Sequence, residues 1–393
     1  MKFFSTSIII TILFTGLFLL PVLLMAQTTG NTAGSIIRPN SEVPFLNFTP
    51  DARSGAMGEA GVALTPDVNS NFWNPSKLAF LESDDAVSLS YSPWLRQLVP
   101  DISLSYLSYA HKIDDRNSIG ASLRYFNYGT TQLTDVNQNN EGTYTPNELQ
   151  INGSFARKFG NEFSLGLTLG YIHSDFSNAT FSNQQAQAGN AVAAGVSLFY
   201  NKQLQEFGTD GIFSFGTNIS NIGSKIKYSA DGPSYFLPAN LKMGIANVIN
   251  LDDYNQVTFT FDINKLLVPS PPIRDENGNI IKGKDDNISV PAGIFASFTD
   301  APGGFTEELQ QVSFSPGLEY WYNQLFALRA GYFYQSPSQG GSQYLTLGVG
   351  FKYDIFGFDF SYITAKQQSS ALANTIRFTL IATFGGDKNV SKF

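Results

Sequence analysis

The sequence predicts an all-β fold, a transmembrane antiparallel β-barrel of about 14 strands with an N-terminal hatch segment. Three observations lead there. Charged residues make up only 14% of the 393-residue chain, against about 25% in an ordinary soluble domain, while aromatic residues also reach 14% and glycine numbers 35. Period-two runs, with large apolar side chains opposite small polar ones, recur to the C-terminal end. The connections between those runs alternate long and short, as in a barrel with long loops at one rim and tight turns at the other.

The same composition excludes other classes. A disordered chain would carry few aromatics and a high net charge. A helical membrane bundle would need repeated apolar runs of about 20 residues, and only the extreme N-terminus has one. The formal charge of −8 argues against a nucleic-acid partner. With no cysteine, there is no disulfide framework, thiol nucleophile or cysteine metal site.

The elements follow in chain order. Met1, Lys2 and Phe3 form a short basic start. Ile8 to Leu24 is an apolar run broken by Gly16 and Pro21, and Ala26 precedes a cut at Gln27. Residues 1–26 therefore read as a secretory signal peptide, the alternative being an uncleaved anchor helix. Residues 27–84 are polar, without alternation, yet hold Phe45, Leu46, Phe48, Phe72 and Trp73, which require burial. A hatch in the lumen or a periplasmic cap fits them, because a barrel of this size has an interior to fill, the alternative being a floppy linker.

Residues 85–385 carry the strands, and 386–393 form a tail. The clearest strand sets Phe163, Leu165, Leu167, Leu169 and Tyr171 against Ser164, Gly166, Thr168 and Gly170. The same pattern holds for Val257 to Ile263, Ile119 to Tyr125, Leu345 to Tyr353, Phe356 to Tyr362 and Ile376 to Phe384, and places Ile102, Leu104 and Tyr106 on the apolar, lipid-facing side of their strand. Weaker runs near 86–92, 148–158, 190–200, 211–220, 240–248, 311–321 and 325–335 complete the set. Tyrosines at strand ends (Tyr91, Tyr109, Tyr125, Tyr171, Tyr200, Tyr332, Tyr334, Tyr353, Tyr362) suit interfacial girdles. On this reading charge is confined to loops and turns, and the inward face is mainly Ser, Thr, Gly, Asn and Arg. Connections at 112–117, 160–162, 249–255, 322–324 and 354–355 are short and 201–210 is modest; those at 127–147, 173–189, 220–238 and above all 265–309 are long. With the N-terminus periplasmic, the long loops fall outside the cell.

Little in the chain points to catalysis. His111 and His173 fall at opposite strand ends, so they make neither a base pair nor a zinc site. Acidic pairs such as Asp114–Asp115 and Asp252–Asp253 sit in turns, and no two carboxylates are expected on one inward face at strand spacing. There is no nucleophile elbow or phosphate loop. Asp275, Asn277 and Asn279 echo the start of a calcium loop, but Ile280 stands where its glycine belongs and no glutamate closes it. Asn277-Gly278 reads instead as a type I′ turn joining 273–276 to 279–282, so no metal and no cofactor are expected. That hairpin, with Ile273 and Ile280, makes the longest loop a structured candidate for partner binding. The apolar Trp94, Leu95, Leu98 and Val99 in the 92–100 connection are a second candidate, with packing onto neighbouring loops as the alternative.

The hatch carries two motifs. One is Asp51-Ala52-Arg53-Ser54-Gly55-Ala56-Met57-Gly58-Glu59-Ala60-Gly61-Val62-Ala63; the other runs from Ser70 through Trp73, Asn74 and Pro75 to Phe80. Together with Tyr91-Ser92-Pro93-Trp94-Leu95, Leu98, Asp101 and Ile102, they resemble the PorV family, the outer-membrane barrels of the type IX secretion system of Bacteroidota. The Asn-Pro element alone is shared with the wider FadL-type barrels. The resemblance implies a FadL-like barrel of fourteen strands and a non-enzymatic role. Such a protein binds the C-terminal signal domain of secreted cargo at a SprA-type translocon and carries it to a PorU-type sortase attachment complex. It implies no catalytic residue and no cofactor. The alternative is a FadL-like channel for hydrophobic small molecules, which would need an apolar path through the lumen and a lateral opening in the wall.

Overall fold

In the computed structural model, fourteen antiparallel strands close into one barrel. The structure describes residues 38–94, 101–134, 140–177, 180–181, 184–185, 187–206, 208–365 and 374–386; the signal-peptide region and the tail from 387 lie outside them. The barrel strands are β1 (Asp85–Pro93), β2 (Ser103–Lys112), β3 (Asn117–Asn127), β4 (Asn147–Phe159), β5 (Phe163–Asp175), β6 (Gly189–Glu206) and β7 (Thr209–Gly223). They continue as β8 (Asn240–Asn250), β9 (Asn255–Leu266), β10 (Ser313–Tyr322), β11 (Phe326–Tyr334), β12 (Gln343–Tyr353), β13 (Phe356–Ala365) and β14 (Ile376–Phe384). Each pairs with its sequence neighbour, and β1 pairs with β14 from Asp85↔Phe384 to Tyr91↔Phe378, which leaves no open edge.

The long and short connections sort to opposite rims, as the spacing predicts. β6 and β7 run further than expected, so their connection is two residues rather than ten. At the short-turn rim, Asp114 and Asp252 build the same turn. Each carboxylate accepts from the amides two and three residues on and from the side chain of Asn117 or Asn255, which satisfies the turn backbone.

The outward faces are apolar over most strands; Leu169, for example, is 72% exposed on the protein alone. A bilayer covers such a band, since only a closed barrel or a helix pairs every backbone group in lipid. β2 departs from the expectation. Leu104 and Tyr106, with Ile102 just before the strand, are buried inside, and Leu107 and Tyr109 face out. The reason is a partner on the inside: Ile102 and Leu104 belong to one apolar cluster with Phe45, Leu46, Trp94 and Phe126 at the long-loop rim.

That partner is the segment before β1. It runs from Arg38, beside Gly340 at the long-loop rim, down through the lumen to the short-turn rim, where Leu78 and Leu81 pack with Ala86, Ala110 and Ala156. It fills the lumen as a plug, so of the two readings for this segment the described part is the hatch and not an external cap. Its helices are short, α1 (Ala52–Ala56) and α2 (Ser70–Trp73), with 3-10 turns at Pro44–Asn47 and Pro75–Phe80.

Candidate functional site: the plugged lumen and the long-loop rim

The plug motif is explained residue by residue. Asp51 caps α1 by accepting from the Ser54 amide at 2.8 Å, and its other oxygen accepts from the Trp73 indole at 2.6 Å. One carboxylate thereby ties the two motif segments together. Gly58 has φ +72°, and a side chain there would lie 2.6 Å from the Tyr332 carbonyl oxygen. At Gly61 a Cβ would sit 2.3 Å from the Trp73 ring, so the indole needs the bare backbone. Met57 packs with Ala60 and Leu64. Asn74 donates through its side chain to the carbonyls of Val62 (3.0 Å) and Leu198 (2.9 Å), and Pro75 opens the following 3-10 turn.

The barrel wall answers with charge. The Arg53 guanidinium grips Glu319 at 2.8 and 3.0 Å; Glu319 also accepts from Arg329 at 2.6 Å, and Arg329 donates to Asp359 at 2.6 Å. All four side chains are buried. On the plug side, Arg53 also pairs with Asp67 at 3.2 Å. Asp262 accepts from the Gly61 and Val62 amides, and Arg377 pairs with Glu59. One expectation is corrected here: charge is not confined to loops and turns, since Glu319, Arg329 and Asp359 stand on barrel strands and face inward. The reason is that the plug contributes Arg53, and Arg329 lies between the two carboxylates, so each charge finds an opposite one and hydrogen bonds. None of these groups is placed as a catalytic pair, because every carboxylate in the ladder is held by a guanidinium.

Against the plug lies a chamber of about 40 Å³, room for a few waters. Its lining includes Asn71, Phe72, Arg124, Gln150, Asn152 and Lys242. It lies against a register shift in β6 between Ala194 and Val196.

At the long-loop rim, the two candidate binding segments separate. Trp94 is only 6% exposed and stacks on Phe48 at 4.3 Å, with Phe126 edge-on at 5.7 Å, so the exposed reading is corrected to an anchor between plug and wall. Leu95, Leu98 and Val99 lie outside the described residues. Ile273 and Ile280 stand exposed on a hairpin of Ile273–Arg274 and Ile280–Lys282. Its turn is not type I′: Gly278 has φ +83° while Asn277 keeps negative φ, so a tight turn from Asp275 ends on a left-handed glycine, matching the register shift in the hairpin. The Asp275 carboxylate is engaged by the amides of Asn277 and Asn279 and by the Asn279 side chain.

The alternation pattern misses two short helices in the same connection, α3 (Val290–Ala296) and α4 (Phe305–Gln310). They leave Phe295 78% and Phe305 75% exposed, with Phe298 and Leu309 also exposed. The connection is fastened to the wall by Lys265, which donates to Glu308 at 2.9 Å and Gln311 at 2.7 Å; the other Glu308 oxygen accepts from the Ala301 amide. The signal was a pair of aromatics flanking the Ala-Pro-Gly-Gly turn at 301–304, too short for periodicity to register.

A family model described as "Type IX secretion system protein PorV" matches residues 34–273, which includes both plug motifs. No curated protein sequence matches the chain. Among solved structures, the Ralstonia pickettii toluene transporter TbuX is similar at 14% identity and TM-score 0.48, over 86% of this chain and 98% of that one. The Pseudomonas putida toluene transporter TodX is similar at 12% identity and TM-score 0.49, over 86% and 99%. A Pseudomonas aeruginosa FadL homologue is similar at 14% identity and TM-score 0.43, over 86% and 98%.

Proposed function

The chain belongs to the PorV family of type IX secretion system proteins, and on that premise we propose that it is a non-enzymatic outer-membrane carrier. It binds the C-terminal signal domain of secreted cargo at a SprA-type translocon and passes it to a PorU-type sortase attachment complex. Outer-membrane lipid surrounds the barrel wall, the long-loop rim faces the outside of the cell, and no nucleic acid takes part.

The observation that supports a carrier over a conduit is the lumen. The plug is fixed to the wall by buried ion pairs and close glycine contacts, and the chamber against it, about 40 Å³, is lined by polar and apolar side chains together. A channel for hydrophobic molecules needs a continuous apolar path of larger bore, which these side chains do not offer. The surface left for work is the long-loop rim, with the structured 267–312 connection and its exposed Phe295, Phe298, Phe305 and Leu309.

Deletion of the gene tests the proposal. Cargo bearing the C-terminal signal is expected to accumulate within the cell envelope while uptake of aromatic and fatty-acid compounds stays normal. Normal secretion with lost uptake would favour the FadL-like channel instead.

A further inference from the structure

The buried cations of the lumen divide into two kinds. Arg53, Lys265, Arg329 and Arg377 each have a carboxylate within ion-pair distance. Lys77, also buried, has none but donates to the Gly61 carbonyl at 2.8 Å. Arg124 and Lys242 have none among the described residues, although both are more than nine-tenths buried and both line the 40 Å³ chamber. They flank the ring of Phe72, with the Arg124 guanidinium carbon 4.7 Å and the Lys242 ammonium 4.6 Å from its centroid. Two cations held around one aromatic ring repel each other, and attraction to the ring face offsets only about 1–2 kcal/mol each.

The donors that point to a ligand are specific. Arg124 spends its terminal nitrogens on the carbonyls of Phe45, Leu46 and Phe48, at the end of a 3-10 turn of the plug, and its Nε is buried without an acceptor. Lys242 Nζ meets the faces of Phe72 and Trp73 but no hydrogen-bond acceptor among the described residues. The Asp262 carboxylate on the neighbouring strand gives one oxygen to the Gly61 and Val62 amides; its other oxygen is buried without a hydrogen-bond partner and is not within ion-pair distance of Lys242. No Asp or Glu is among the described residues lining the chamber, and Asn152 and Gln150 add amide groups to it. A cation-lined, amide-lined, carboxylate-free cavity is the chemistry of an anion site. Its volume suits a small ion.

We propose that the chamber between Phe72, Arg124 and Lys242 binds one small inorganic anion of the halide class. The ion neutralises the two unpaired cations and locks the plug to β3 and β8. This is independent of the carrier role, since it concerns how the plug is seated and not what the loops bind.

The test uses the full-length barrel in detergent with bromide as the probe. Crystals grown in sodium bromide should show an anomalous scattering peak in the chamber beside Lys242 Nζ. The midpoint of heat-induced unfolding, read as the shift from folded to unfolded band on a gel, should rise by about 2 °C in bromide or chloride over gluconate at equal ionic strength. Lys242→Gln should abolish that rise; if it fails to fold, Lys242→Arg should fold and keep the rise, and the bromide peak in the wild type decides in either case. A chamber without bromide, equal midpoints in halide and gluconate, or an acyl chain found there after delipidation would each overturn the proposal.

Discussion

Arg53, in the plug, and Glu319, in the barrel wall, are 266 residues apart in sequence and joined by two hydrogen bonds of 2.8 and 3.0 Å from one guanidinium to one carboxylate. The contact couples the closing of the barrel to the seating of the plug. Because Glu319 also holds Arg329, and Arg329 holds Asp359, removing Arg53 leaves two buried carboxylates sharing one guanidinium, and removing Glu319 takes from Arg53 and Arg329 the buried acceptor they share. Arg53→Ala or Glu319→Ala is expected to lower stability by about 3–5 kcal/mol. Arg53→Lys should recover only part, because an ammonium cannot make the paired contact. Denaturant titration followed by the gel shift of the folded barrel checks both.

Gly58→Ala should unseat the plug without disturbing strand pairing. Its φ of +72° and the 2.6 Å approach to the Tyr332 carbonyl leave no place for a methyl group, and strain of roughly 1–3 kcal/mol adds to overpacking of similar size. The expected result is a folded barrel with raised ion conductance in a planar bilayer and faster protease cleavage within 38–84. Wild-type conductance would show that the wall relaxes around the added carbon.

Trp94 and Phe305 should separate structure from binding. Trp94→Ala removes a ring stacked on Phe48 and is expected to cost about 3–5 kcal/mol in stability. Phe295→Ser with Phe305→Ser removes two exposed rings; stability should change by less than about 0.5 kcal/mol, while capture of the cargo signal domain in a binding assay should fall. Unchanged capture would move the binding surface elsewhere on the rim.

The exposed hairpin at 273–282 should keep its turn to acid pH. The Asn279 side chain, then the amides of Asn279 and Asn277, hold the Asp275 carboxyl below the usual carboxylate range. With the folded value depressed, the turn's stabilisation is fully present above the unfolded value of about 4 and is lost only as pH falls through the lower folded value. Amide exchange protection at Asn277 and Asn279 should therefore persist at pH 4 and vanish in Asp275→Ala at any pH.

The strands were legible in the sequence because one face of each meets lipid and period two is a strong signal; all fourteen expected runs lie in barrel strands. Ile102, Leu104 and Tyr106 misled because an apolar run does not say whether lipid or a plug lies opposite. Glu319, Asp359 and Lys242 were passed over because each is one charge in an otherwise ordinary strand, and what each side chain meets lies in another strand or in the plug. Their inward parity was readable: each occupies the face opposite the lipid-facing residues, where a charge requires either water or a partner. The plug motif was visible as a pattern, but the need for Gly58 and Gly61 arises from Tyr332 and Trp73, contacts that spacing alone does not contain.

The central claim is that this barrel carries proteins and not small hydrophobic molecules. Affinity purification of the tagged full-length protein from outer membranes, with mass spectrometry of what accompanies it, tests this most directly. The account predicts a translocon of the type IX system, cargo with the C-terminal signal and components of the attachment complex. Recovery of the barrel without any of these from secreting cells would contradict it.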